Sequence, residues 1–137
     1  MSNCILDTSI AESWYSDEVF SEYAGHYHTQ FIKNQDSFYA PPLHFLEFSM
    51  VLRPLVLKKI LSVTSAKNMY SLHLQAPLQV MEPQRGKIVK IALAYQATPY
   101  DAVFIQLALL AGFPLLTAEK KTQVWVSKLG ERAVVIS

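Results

Sequence analysis

The segment Thr98–Glu119, TPYDAVFIQLALLAGFPLLTAE, reads as a helix that stops and turns into a buried strand. Thr98 is placed to cap the helix, and Pro99 takes the first helical position, where its missing N–H is not needed. Gly112 follows the last helical residue, a position that favours a left-handed backbone. Pro114–Thr117 is then a short apolar strand, followed by a helix over Lys120–Leu129 and a last strand over Ala133–Ile136. Working outward to the N-terminus, Asn3–Leu6 predicts a first buried strand and Asp17–Lys33 a helix capped by Ser16. Phe38–Ala40 predicts a second strand, closed by Pro41 and Pro42. A helix over Leu43–Arg53 is expected to end or kink at Pro54. Leu55–Gln75 predicts another helix, Leu78–Met81 a short strand and Gln84–Gln96 a helix. Short apolar strands alternating with helices predict an α/β fold with a mostly parallel sheet covered on both faces.

The 137 residues are expected to form one domain, 1–137, with a single core. The net charge is +1, so no global positive field draws in a polyanion. Cys4 is the single cysteine, which excludes an internal disulfide. No export signal or membrane-spanning apolar run is evident, because Ala102–Leu116 is interrupted by Gln106, Gly112 and Pro114. A reducing cytoplasm is the expected location, with no membrane partner. Hydrophobic residues make up 51% of the chain and charged residues 17%. That balance leaves apolar surface for a partner or a second copy, or else simply makes a dense core.

In so uncharged a chain, four carboxylates stand against apolar runs: Asp7, Glu47, Asp101 and Glu119. Ligands of parallel sheets bind beyond the carboxyl ends of the strands, and Asp7 and Glu119 each follow a predicted strand. Each acid also has a plain local role. Asp7 suits a turn, Asp101 suits the positive end of its helix, and Glu119 suits a helix start. Glu47 has mainly apolar neighbours one helical turn away. It is either buried with compensation or turned outward between apolar shoulders. Together the four acids are a donor set for a hard cation, magnesium or manganese, which prefers carboxylate and water. Such a cluster with its cation activates water against a phosphodiester. Thr8, Ser9 and Thr117 supply hydroxyls that orient carboxylates or water. The histidines, His26, His28, His44 and His73, lack a paired ligand spacing, although His44 lies three residues before Glu47.

Three blocks resemble the PIN-domain family and, within it, the small VapC-type toxins of toxin–antitoxin pairs. They are Ile5-Leu6-Asp7-Thr8-Ser9, Ala40-Pro41-Pro42-Leu43 with Glu47 and Leu52, and Tyr100-Asp101-Ala102 through Leu107-Ala108 and Gly112 to Pro114–Lys120. The resemblance implies a three-layer α/β/α sandwich and a magnesium- or manganese-dependent endoribonuclease that leaves a 5′-phosphate and a 3′-hydroxyl. It carries over Asp7, Glu47, Asp101 and Glu119 as metal-binding and catalytic acids. It also implies an RNA substrate, a homodimer and an antitoxin protein that occupies the acidic groove. The family usually has Asp where this chain has Glu119, which places the carboxylate one methylene further out.

A phosphatase with an aspartyl nucleophile would need a second acid where Ser9 stands, and a receiver-like domain would need an acidic pair that is missing here. The alternative of a different class is a catalytically weak or inactive PIN-like module acting through dimerisation or protein binding. RNA contacts would draw on Arg53, Lys58, Lys59, Lys87, Lys90 and Lys120, if these lysines are more than a solvated surface.

Overall fold

Cys4, Ile5 and Leu6 are almost completely shielded from solvent because their strand lies in the middle of a sheet. The computed structural model describes residues 3–13, 37–119 and 123–135, and the helix expected over Asp17–Lys33 lies outside them. The sheet is five-stranded and all described pairings are parallel. Its strands are β1 (Asn3–Leu6), β2 (Ser37–Ala40), β3 (Gln79–Val80), β4 (Leu115–Thr117) and β5 (Ala133–Val135), in the spatial order β3-β2-β1-β4-β5. Six α-helices are described: α1 (Thr8–Ser13), α2 (Leu43–Leu57), α3 (Val63–Gln75), α4 (Ile88–Tyr95), α5 (Pro99–Ala111) and α6 (Val124–Leu129). Short 3-10 turns, Arg85–Lys87 and Gly130–Arg132, lead into α4 and β5.

Side chains alternate across a strand, and the core divides accordingly. Cys4 and Leu6 of β1 and Leu116 of β4 pack with Phe38, Phe48 and Leu52 beneath α2 and α3. Ile5 and Leu115 point the other way and pack with Ile91, Phe104, Leu107 and Trp125 beneath α4, α5 and α6. The result is a three-layer α/β/α sandwich. No described helix is long and apolar enough to cross a membrane.

Helix α5 keeps the predicted bounds. The Thr98 hydroxyl accepts the Asp101 N–H at 3.1 Å, and Gly112 closes the helix at φ +71°. Loss of that cap costs about 1 kcal/mol, so Thr98→Ala is expected to lower the urea midpoint without changing the slope of the transition. Gln106 is the polar residue buried in this helix. Its Oε1 accepts the Gln84 N–H at 2.8 Å and its amide donates to Gln84 Oε1 at 3.3 Å, which ties the loop after β3 to α5.

The helices after β2 differ from expectation. Helix α2 does not end at Arg53 but runs through Pro54 to Leu57. Proline removes its own N–H, yet its carbonyl still accepts the Lys58 N–H at 3.0 Å, so a further turn forms. The single helix expected over Leu55–Gln75 is instead broken between Leu57 and Val63, with Lys59 at φ 60° and Ser62 capping α3 through the Ser65 N–H. The last helix begins, among the described residues, at Val124 rather than Lys120.

Candidate active site

The sheet reverses its strand order between β1 and β4, the point at which parallel sheets form a crevice at the strands' carboxyl ends. The register Ile5↔Leu115 and Leu6↔Leu116, continued by one residue, sets Asp7 opposite Thr117. The Asp7 N–H donates to the Leu116 carbonyl at 2.9 Å. Thr117 donates its hydroxyl to Asp7 Oδ2 at 2.6 Å, and Ser9 donates to the same oxygen at 3.1 Å. The same two hydroxyls accept backbone N–H groups of the chain leaving β4, Glu119 to Thr117 Oγ1 and Ala118 to Ser9 Oγ, each at 3.0 Å. Asp7 and the segment carrying Glu119 are therefore held as one unit.

Helices that cross over between parallel strands begin at the carboxyl edge of the sheet. Helix α2 starts there after β2 and carries Glu47 on its second turn. Helix α5 starts there before β4 and carries Asp101 on its first turn. Glu47 is partly buried and its Oε1 accepts the Thr8 hydroxyl at 3.0 Å, so it faces the crevice rather than outward.

The acids are close enough to feel one another. Burial, with the charges of Asp101 and Glu119 nearby, raises the Asp7 carboxyl from its ordinary value to about 6, against the stabilising bonds from Thr117 and Ser9. Burial also raises Glu47 to about 7, opposed by the Thr8 bond and reinforced by Asp7 and Asp101. Asp101 is raised by desolvation, opposed by its bond to Thr98. Asp7 is thus the centre of a cluster to which all four predicted acids belong electrostatically. Among the described residues, no three carboxylate, imidazole or thiol groups stand close enough together to ligate one metal ion directly. In donor chemistry the cluster still suits a hard divalent cation. It offers oxygen ligands whose mutual repulsion a positive charge relieves.

Two histidines also belong to this region, and only one of them had a hint in the sequence. His44 lies one helical turn before Glu47, and its Nδ1 is 2.9 Å from the same Thr8 hydroxyl. Its Nε2 is 2.7 Å from Nε2 of His73 on α3. Both rings are fully buried, and burial together with His73 lowers His44 to about 3, so it is neutral. No local spacing announces His73 as a member of the site.

The basic residues do not gather around the acids as a group. Arg53, Lys58 and Lys59 are exposed at the far end of α2, Lys58 being about 16 Å along the helix axis from Glu47. Lys87 and Lys90 are exposed at the start of α4, and Lys120 lies outside the described residues. Apolar side chains remain on the surface, including Leu46, Met50, Ile60 and Leu93.

Comparison with known proteins agrees with this architecture. No curated protein sequence matches the chain significantly. Among solved structures, PAE2754 from Pyrobaculum aerophilum superposes with a TM-score of 0.70 at 17% identity, covering 98% of this chain and 89% of the other. VapBC2 from Rickettsia felis, solved bound to a DNA fragment from its promoter, superposes with a TM-score of 0.63 at 10% identity, covering 97% and 96%. These similarities are of fold. The sequence pattern of the PIN domain matches residues 4–124, nearly the whole chain. The crevice between β1 and β4, with its four acids, lies within that match, and the chain belongs to the PIN-domain family.

Proposed function

We propose that this protein is a magnesium- or manganese-dependent endoribonuclease and the toxin of a toxin–antitoxin pair. PIN domains are generally nucleases that use divalent metal ions. The observation that carries the reading is the convergence of Asp7, Glu47, Asp101 and Glu119 on one sheet edge, with their charges coupled and the Asp7 and Glu47 pKa values raised. All four acids come from helix starts or strand ends far apart in sequence, and their repulsion has no structural benefit of its own.

When bound, a divalent cation supplies Lewis-acid stabilisation of the phosphodiester and lowers the pKa of water. Asp7, held by Thr117 and Ser9, would be the central oxygen donor. Glu47, Asp101 and Glu119 would act on the ion through waters that it keeps, as magnesium does. Glu119 would approach the ion with one methylene more than the family's usual Asp. The Thr8, Ser9 and Thr117 hydroxyls set carboxylate orientation and do not act as nucleophiles. The antitoxin proposal rests on the VapBC2 likeness, and the homodimer proposal on the exposed apolar side chains of α2 and α4. A cytoplasmic location follows from such a role.

Manganese calorimetry combined with an RNA-cleavage assay tests the reading. Binding is expected with cleavage that chelator abolishes and manganese restores, giving products with 5′-phosphate ends. A folded protein that neither binds manganese nor cuts RNA would instead be a binding module of the same fold.

A further inference from the structure

The buried histidine pair forms a hydrogen-bonded line that ends on a carboxylate of the acid cluster. Its polarity follows from counting protons. Against an ionised Glu47 the one hydrogen of the Thr8 hydroxyl goes to Glu47 Oε1 at 3.0 Å. Thr8 Oγ1 must then accept at its 2.9 Å contact with His44, so His44 carries its proton on Nδ1. A neutral imidazole protonated on Nδ1 has Nε2 as an acceptor. The 2.7 Å contact between the two Nε2 atoms therefore requires the proton on His73. The line runs from His73 Nε2–H to His44, from His44 Nδ1–H to Thr8, and from Thr8 to an ionised Glu47.

Aromatic packing holds the His73 ring in place. The His73 ring stacks on Phe48 with centroids 4.8 Å apart and planes 26° apart, and sits 5.9 Å from Phe45. Tyr70, one turn earlier on α3, donates its hydroxyl to the Phe45 carbonyl at 3.1 Å, which docks α3 onto α2. Desolvating two imidazoles where plain aromatic side chains would fill the space costs free energy unless their bonds are made. Here those bonds lead across three helices to the acid site.

We propose that His73 is a positioning residue for Glu47, acting through His44 and Thr8, so that α3 helps to set the orientation of a carboxylate in the acid cluster. A donor two residues removed from a carboxylate holds it indirectly. Removing such a support typically lowers metal affinity or activity by about 10–100-fold. The kinetic part of this inference rests on the nuclease reading above. The proton placement does not.

Histidine-selective nitrogen NMR on the whole chain, at pH 8, tests the placement. His44 is expected as the Nδ1–H tautomer, the less common form in water, and His73 is expected to carry its proton on Nε2. Thr8→Val removes the acceptor and is expected to shift His44 to the other tautomer. His73→Phe keeps the ring and its stacking, and is expected to move the Glu47 side-chain carboxyl carbon resonance. In the cleavage assay, His73→Phe and Thr8→Val are each expected to lower kcat by about 10–100-fold with KM for RNA nearly unchanged. The double variant is expected to be no worse than the poorer single one, because each change cuts the same line. His44 found as the Nε2–H tautomer, a Glu47 resonance indifferent to His73→Phe, or effects that multiply would each overturn the proposal. A wild type that cuts no RNA would refute the nuclease reading, and the NMR readouts would still decide the line itself. If His73→Phe fails to fold, the Thr8→Val tautomer shift decides it.

Discussion

Asp7→Asn is expected to slow RNA cleavage by about 10²–10⁴-fold, the range associated with losing a group essential to the chemical step. The protein should keep its fold. Asn retains an acceptor oxygen for the Thr117 and Ser9 hydroxyls, which reach the present carboxylate at 2.6 and 3.1 Å. What disappears is the negative charge at the centre of the cluster and with it the affinity for a cation. Circular dichroism establishes that the fold survives, and calorimetry with the cleavage assay reads the loss. Cleavage by a purified variant at the wild-type rate would remove Asp7 from the mechanism and with it the proposed site.

The second large effect is on stability without metal. The Asp7 carboxyl is raised in the folded protein from its ordinary 3.8 to about 6. Below the lower value both folded and unfolded chains are protonated, and the group has no influence. Between the two values the folded chain holds a proton that the unfolded chain has released, so stability falls as pH rises. The penalty is complete above about pH 6 and amounts to about 3 kcal/mol for this buried group. Glu47, raised from 4.5 to about 7, acts in the same direction, and less strongly because it is partly exposed. His44 acts in the opposite direction. Burial lowers it from 6.5 to about 3, so stability is lost as pH falls below its ordinary value. The difference between wild type and Asp7→Asn isolates the carboxylate. In chelator, the variant is expected to gain on the wild type as pH rises from 4 to 7, and added manganese should return the wild type's deficit. Parallel profiles for the two proteins would show that Asp7 carries no such penalty.

The five strands and the α/β class were legible because their signals are local, whereas the short helix Thr8–Ser13 carried no signal that the sequence reading used. A capping threonine, a proline at the first helical position and a glycine stop bound α5 with no help from the rest of the chain. Unbroken apolar runs such as Cys4–Leu6 and Leu115–Leu116 can only be satisfied in the interior of a sheet. Asp7 was conspicuous because it follows such a run directly, and Glu119 because it stands three residues past one.

The break between α2 and α3 was not legible, for an identifiable reason. The left-handed residue that closes a helix is usually glycine, and here it is Lys59. Leu55 O accepts both the Ile60 and Leu61 N–H groups, at 3.0 and 3.1 Å, and this closure leaves no mark in residue type. Pro54 misled in the other direction, because a proline loses only its own bond and an exposed last turn tolerates that.

By itself the sequence determined the five strands, the helix Pro99–Ala111 and which acids stand at element ends, since these follow from chemistry between near neighbours. Only the tertiary structure decided how those acids are held. Thr117 reaches Asp7 across 110 residues of chain, Thr8 reaches Glu47 across 39, and His73 reaches His44 across 29. Contacts of that separation depend on strand order, register and helix rotation, which the packing of the two core layers selects and no local spacing encodes.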